Sequence, residues 1–161
     1  MKYKTDSGIF KVLAVFFTVL CSFYLLSSIL DLYQENQYYP VLLIMACFLL
    51  RYPHEYLHFI AGKLIALKSI ISFKRLNATC TPLGIMNRKE LCTFALAPFV
   101  SIGFVLSVGV ILTNDIYQVF FIGVLIYHCC ACYFDFVYVV IACIYKNKQF
   151  KDHGLVLEIL N

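Results

Sequence analysis

Charged side chains are scarce in this chain. They make up 14% of its 161 residues, against about 25% in soluble domains, and hydrophobic residues reach 62% against about 45–50%. A soluble fold of this length cannot cover that much apolar surface, so lipid is the expected solvent. No run of Lys and Arg interleaved with aromatics occurs, and a net charge of +4 does not by itself call for a polyanion, so no nucleic-acid partner is expected. Paired C-x-x-C spacings are also missing, which excludes a structural zinc site built from the eight cysteines. Seven of these (Cys21, Cys47, Cys92, Cys129, Cys130, Cys132 and Cys143) lie in apolar stretches, and only Cys80 lies in a polar one. Cys129-Cys130-x-Cys132 is the one soft-metal candidate among them, and its expected role is the blander one of small apolar filler. There is no internal repeat and no low-complexity tract, so a single membrane domain is expected over residues 1–161.

The apolar residues fall into four stretches long enough to cross a bilayer, which takes about 20 helical residues. They cover about 10–32, 40–67, 91–113 and 116–145. The first has no small-x-small cleavage signal before Asp31 and reads as a retained helix rather than a signal peptide. Twelve of the thirteen basic residues lie on one side, before or at the start of the first stretch (Lys11), from the end of the second (Lys63) to the start of the third, or after the fourth; the exception is Arg51. The positive-inside rule makes that side cytoplasmic, with both termini and a tail at 146–161 in the cytosol. The fold class is therefore expected to be an all-α integral membrane protein of four transmembrane helices in the cytoplasmic membrane. The segment from Ser69 to Glu90 combines a β-prone run with the turn signal Thr81-Pro82-Leu83-Gly84, and predicts a short strand or hairpin at the membrane surface.

The second stretch carries polar residues that an apolar helix has no use for. It reads Arg51-Tyr52-Pro53-His54-Glu55-Tyr56-Leu57-His58. Positions i and i+4 share one helix face, so His54 and His58 can turn their imidazoles toward one ion. Glu55 follows the first ligand and can reach a water on that ion as general base. Zinc lowers the pKa of such a water to about 7, which gives a nucleophile at neutral pH. Ionisable groups within a membrane segment are expensive and generally mark function.

A zinc site of this kind needs a third protein ligand. The membrane candidates are Asp135 and His128 in the fourth stretch, and depth separates them. At 1.5 Å per residue, His58 and His54 lie roughly 15 and 21 Å in from Lys68, Asp135 roughly 16 Å in from Lys146, and His128 roughly 27 Å in. Asp135 matches the motif and is the expected third ligand; His128 is expected to be a hydrogen-bonded interhelical residue. Arg51 is left with two roles, orienting a substrate carbonyl or reaching another polar group. Pro53 and Pro98 each remove a helix hydrogen bond, and the freed carbonyls are candidate partners for an extended peptide.

At these residues the sequence resembles a family of small multi-pass bacterial membrane proteins regarded as zincin metallopeptidases, themselves similar to site-2 proteases. The resemblance rests on His54-Glu55-x-x-His58, Ala95-Leu96-Ala97-Pro98, Asp135 and the tail Asp152-His153-Gly154. It implies one zinc ion held by His54, His58 and Asp135, with Glu55 activating water. The implied activity is an intramembrane endopeptidase acting on transmembrane or membrane-adjacent peptide segments. The Ser69 to Glu90 segment is a surface on which such a segment can add as a strand. The chain departs from the site-2 pattern Leu-Asp-Gly by flanking Asp135 with Phe134 and Phe136, and it carries no PDZ-like accessory domain. The rival readings are a non-catalytic membrane metal carrier or sensor using the same three ligands, a haem carrier with axial His58 and His128, and an inactive protease homologue.

Overall fold

The computed structural model describes residues 2–4, 8–35, 37–74, 77–153 and 156–160. Arg75, one of the counted basic residues, and Gly154 of the tail motif lie outside them. In chain order the elements are β1 (Lys2–Lys4), α1 (Gly8–Glu35), α2 (Tyr39–Leu49), α3 (Arg51–Leu64), β2 (Ser69–Lys74), β3 (Asn77–Pro82), β4 (Ile85–Met86), α4 (Arg88–Leu112), α5 (Asp115–Ala131), α6 (Tyr133–Ile144), β5 (Gln149–Asp152) and β6 (Val156–Leu160). The protein is mostly helical.

Two of the four expected helices are broken. The stretch expected at 40–67 is two helices that meet at Leu50, and α3 ends at Leu64. Pro53 has no N–H to give to the carbonyl four residues back, that of Leu49, which is the last residue of α2. Proline costs little here because it sits in the first turn of α3, where N–H groups have no intrahelical acceptor anyway. The stretch expected at 116–145 breaks at Cys132 into α5 and α6, which are bent by 47°. The uncharged stretch expected at 91–113 begins earlier, at Arg88. Asn87 accepts the Glu90 N–H at 3.0 Å and Glu90 accepts the Asn87 N–H at 2.7 Å, a capping box that starts α4 before its apolar run.

The all-α expectation is corrected by two small sheets. The β2–β3 hairpin lies in the segment read as β-prone, with Ser69 opposite Pro82 and Lys74 opposite Asn77. The second sheet is antiparallel, in the order β1-β6-β5-β4, and takes up most of the tail. Its cause is a period of two: Phe150 and Asp152 on β5, and Leu157 and Ile159 on β6, turn inward while their neighbours stay at least partly solvated. Phe150, Leu157 and Ile159 pack with Met86, Leu91, Phe94, Val137, Tyr138 and Ile141, so the sheet closes one end of the α4–α6 pair. A second cluster, around Leu32, Leu43, Ile102, Leu106 and Val124, joins α1, α2, α4 and α5.

Two details seat the hairpin against α3. The helix ends in a Schellman motif, in which Leu67 N–H reaches Gly62 O at 2.8 Å, Ala66 N–H reaches Lys63 O at 3.1 Å, and Ala66 takes a left-handed φ of 56°. Gly62 then lets β2 approach closely, since a Cβ there would stand 2.9 Å from Ser69 Oγ.

Among the described residues, α4 is long and apolar enough to cross a membrane, and the bent pair α5–α6 passes the same test as a unit. Only 17% of the most apolar window of α4 is buried. Phe104, Val105, Ile111 and Leu112 all face outward.

Candidate metal centre

The i, i+4 spacing on α3 brings the two imidazoles together, with His54 Nε2 and His58 Nε2 3.2 Å apart. Asp135, in the first turn of α6, completes the group. Its Oδ2 is 3.4 Å from His54 Nε2 and its Oδ1 is 3.4 Å from His58 Nε2. The structure thus brings Asp135 together with the two motif histidines, and groups His128 with His54 and Cys132 instead.

The Nδ1 of His58 is 2.8 Å from the carbonyl oxygen of Phe94, which can only accept, so Nδ1 carries a proton and the neutral ring would present its Nε2 lone pair to an ion in the site. That carbonyl is available because of Pro98, four residues further along α4, which has no N–H to bond it. The expectation that carbonyls freed by proline serve an extended peptide is corrected for this one: Phe94 O is occupied by His58. The Phe94 ring also stacks on His58, with centroids 4.8 Å apart and planes 22° apart.

The three side chains approach at 3.2–3.4 Å through two imidazole nitrogens and the two carboxylate oxygens, and one ligand atom from each lies within 4.8 Å of the others, close enough to share a small dication. Ligand atoms about 2.0–2.1 Å from zinc at tetrahedral angles lie about 3.3 Å from one another. Two imidazole nitrogens and a carboxylate are a zinc donor set, and three protein ligands leave a fourth position open. The residues present fit that ion.

Glu55 lies beside this group, half-buried, and its Oε2 accepts the backbone N–H of Cys80 on β3 at 2.7 Å. The hairpin therefore overhangs the motif. A cavity of about 370 Å³ opens between them, lined among others by Glu55, Asp135, Thr79, Tyr138 and Asp152. A larger one of about 570 Å³ lies on the other side of His54 and Glu55, lined also by Arg51, Tyr127 and His128. Arg51 stands at its mouth with its guanidinium 5.8 Å from the Phe48 ring centroid.

His128 is fully buried and lies outside the donor group. Its Nε2 donates to the Pro98 carbonyl at 3.2 Å, the interhelical bond expected of it. Two α4 carbonyls about one turn apart, those of Phe94 and Pro98, thus orient imidazoles from α3 and α5.

Sequence reasoning missed four features. Cys132 is a fully buried free thiol against His54 and His128, and Cys130 is disulfide-bonded. The i, i+4 spacing from His128 to Cys132 was the available signal. Asp152, from the tail, is buried in the smaller cavity, where its Oδ1 accepts the Tyr138 hydroxyl at 3.1 Å. The Cys80 contact to Glu55 had no sequence signal, because it depends on how the hairpin folds back.

The family model described as "Putative zincin peptidase" matches residues 47–150, about two thirds of the chain, and spans every residue of the donor group and Glu55. No curated protein and no solved structure matches the chain.

Proposed function

The chain belongs to that zincin peptidase family, and from this premise we propose that it is a zinc-dependent intramembrane endopeptidase of the site-2-protease type. The observation that carries the reading is the convergence of His54 Nε2, His58 Nε2 and an Asp135 carboxylate at 3.2–3.4 Å. His54, His58 and Asp135 hold the ion. Zinc bound there supplies a Lewis acid and lowers the pKa of water toward neutrality. Glu55, on the next residue after His54, takes a proton from the attacking water and hands it to the leaving amine as the peptide C–N bond breaks. Water adds across that bond, so one carboxylic acid and one amine leave.

Four spans in the cytoplasmic membrane are part of the same proposal. The outward-facing apolar side chains of α4 support it, because a core helix of a soluble protein would be mostly covered. The α2–α3 and α5–α6 pairs act as broken spans, with the sheets and basic residues on the cytoplasmic side. Broken helices are tolerated at membrane depth where they line a cavity, and both breaks do so here. The substrate is a transmembrane or membrane-adjacent segment that unwinds at the site. The outer edge of β3, whose Cys80 N–H reaches Glu55, is the edge to which an extended segment adds.

The Cys80 bond to Glu55 also favours a second reading, a non-catalytic metal-binding protein in which Glu55 only anchors the hairpin. Glu55→Gln separates the two. Under the peptidase reading it keeps zinc and lowers cleavage of a membrane-embedded substrate by roughly 10²- to 10⁴-fold. Undiminished cleavage in that variant would refute the mechanism.

A further inference from the structure

His54 needs a second partner if it is to bind a metal. Its Nε2 belongs to the donor group, so a bound ion leaves the ring's single proton on Nδ1. A metal-bound histidine nearly always donates that other N–H to an acceptor, which fixes the tautomer and the ring orientation. For His58 the acceptor is the Phe94 carbonyl. For His54 the partner of Nδ1 among the described residues is a sulfur, Cys132 Sγ, at 3.9 Å.

Cys132 is itself held. Its Sγ lies 3.8 Å from His128 Nδ1 and 3.7 Å from Nε2. Because Nε2 is protonated toward the Pro98 carbonyl, only Nδ1 keeps a lone pair, and it is the nitrogen able to accept the thiol proton. Every proton in the chain then has an acceptor: His54 Nδ1–H to Cys132 Sγ, Cys132 S–H to His128 Nδ1, His128 Nε2–H to Pro98 O. The His54 and His128 rings meet edge to face, with centroids 5.9 Å apart.

We infer that Cys132, backed by His128, is the positioning residue that holds His54 in its metal-binding tautomer. The inference rests on the reading that His54, His58 and Asp135 bind zinc. It also gives the break between α5 and α6 a purpose. Cys132 is the break residue, with φ −76° and ψ 6°, and Asp135 follows three positions later. One short stretch thus supplies both a ligand and the support of a second ligand.

His54, His128 and Cys132 also form a donor group in their own right. An ion there would need a thiolate and an Nδ1 of His54 stripped of its proton while Nε2 serves the first site. The neutral chain of donors and acceptors needs neither.

The test uses the full chain purified in detergent, with zinc affinity measured by chelator competition. Cys132→Ala removes the acceptor and should weaken zinc binding roughly 10- to 100-fold. Cys132→Ser, which can still accept and donate, should stay within about threefold of wild type. Cys132→Val, apolar but closer in volume to cysteine, takes the place of the alanine variant if that variant does not fold. Cobalt-loaded wild type should show no thiolate-to-metal charge-transfer band. Unchanged affinity in the apolar variant, a serine variant as weak as the apolar one, or a thiolate band would each overturn the inference. A wild type that binds no zinc would overturn the metal-site reading beneath it, an outcome distinct from the other three.

Discussion

The two broken helix pairs reach one site by different physics. Between α2 and α3 the break follows from Pro53, which withholds an N–H from Leu49, yet helical continuity survives because His54 N–H reaches Leu50 O at 3.1 Å. Between α5 and α6 there is neither proline nor glycine, and the chain bends by 47° at a cysteine. The first break shifts a helix whose polar face was already set by the i, i+4 rule. The second lies at Cys132, between His128 and Asp135, whose i, i+4 and i+7 spacing already sets the three on one helix face. A kink with a local cause is legible in the sequence; a kink at a cysteine in an apolar run is visible only in the fold.

The largest expected effect tests the α6 side. Asp135→Ala should weaken zinc binding by more than about 100-fold, beyond the range seen for supporting residues. Equal zinc affinity in that variant would remove α6 from the site and the comparison with it. On the α3 side, the contact between β3 and Glu55 predicts a sluggish thiol. Burial first, and then the nearby Glu55 carboxylate, push the Cys80 thiol up to about 11. A raised thiol pKa means less thiolate, so alkylation at pH 8 should be about 100-fold slower than for an ordinary exposed cysteine. Ordinary reactivity would mean the hairpin does not rest on the motif.

The two prolines give the smaller effects and the sharpest contrast. Pro98→Ala restores an N–H that competes with His58 for Phe94 O, and zinc affinity should fall about tenfold. Pro53→Ala should change it by less than about threefold, because the bond from His54 to Leu50 already holds α3 in place. The reverse order would show that the kink near the motif, rather than the freed carbonyl on α4, sets the geometry.

How much was legible follows the same division. His54, Glu55 and His58 could be read from spacing alone, since a helix face is a local property. That Asp135 lies near them was legible because counting residues from the basic boundary measures depth along parallel helices. Pro98 marks the freed Phe94 carbonyl, but sequence does not say that His58, rather than a substrate, arrives at it. The tail sheet was written in the alternation of Phe150, Asp152, Leu157 and Ile159, but its strands are only four and five residues long and their partners are remote. Cys132 was hidden for a related reason. A thiol in an apolar run looks like filler, and that His54 packs against it is a tertiary contact 78 residues apart in sequence.

The central claim is that α3 and α6 together hold one ion. Elemental analysis of detergent-purified wild type and His54→Ala tests it most directly. The account predicts one zinc per chain in the wild type and almost none in the variant; equal zinc in both, or none in the wild type, would contradict it.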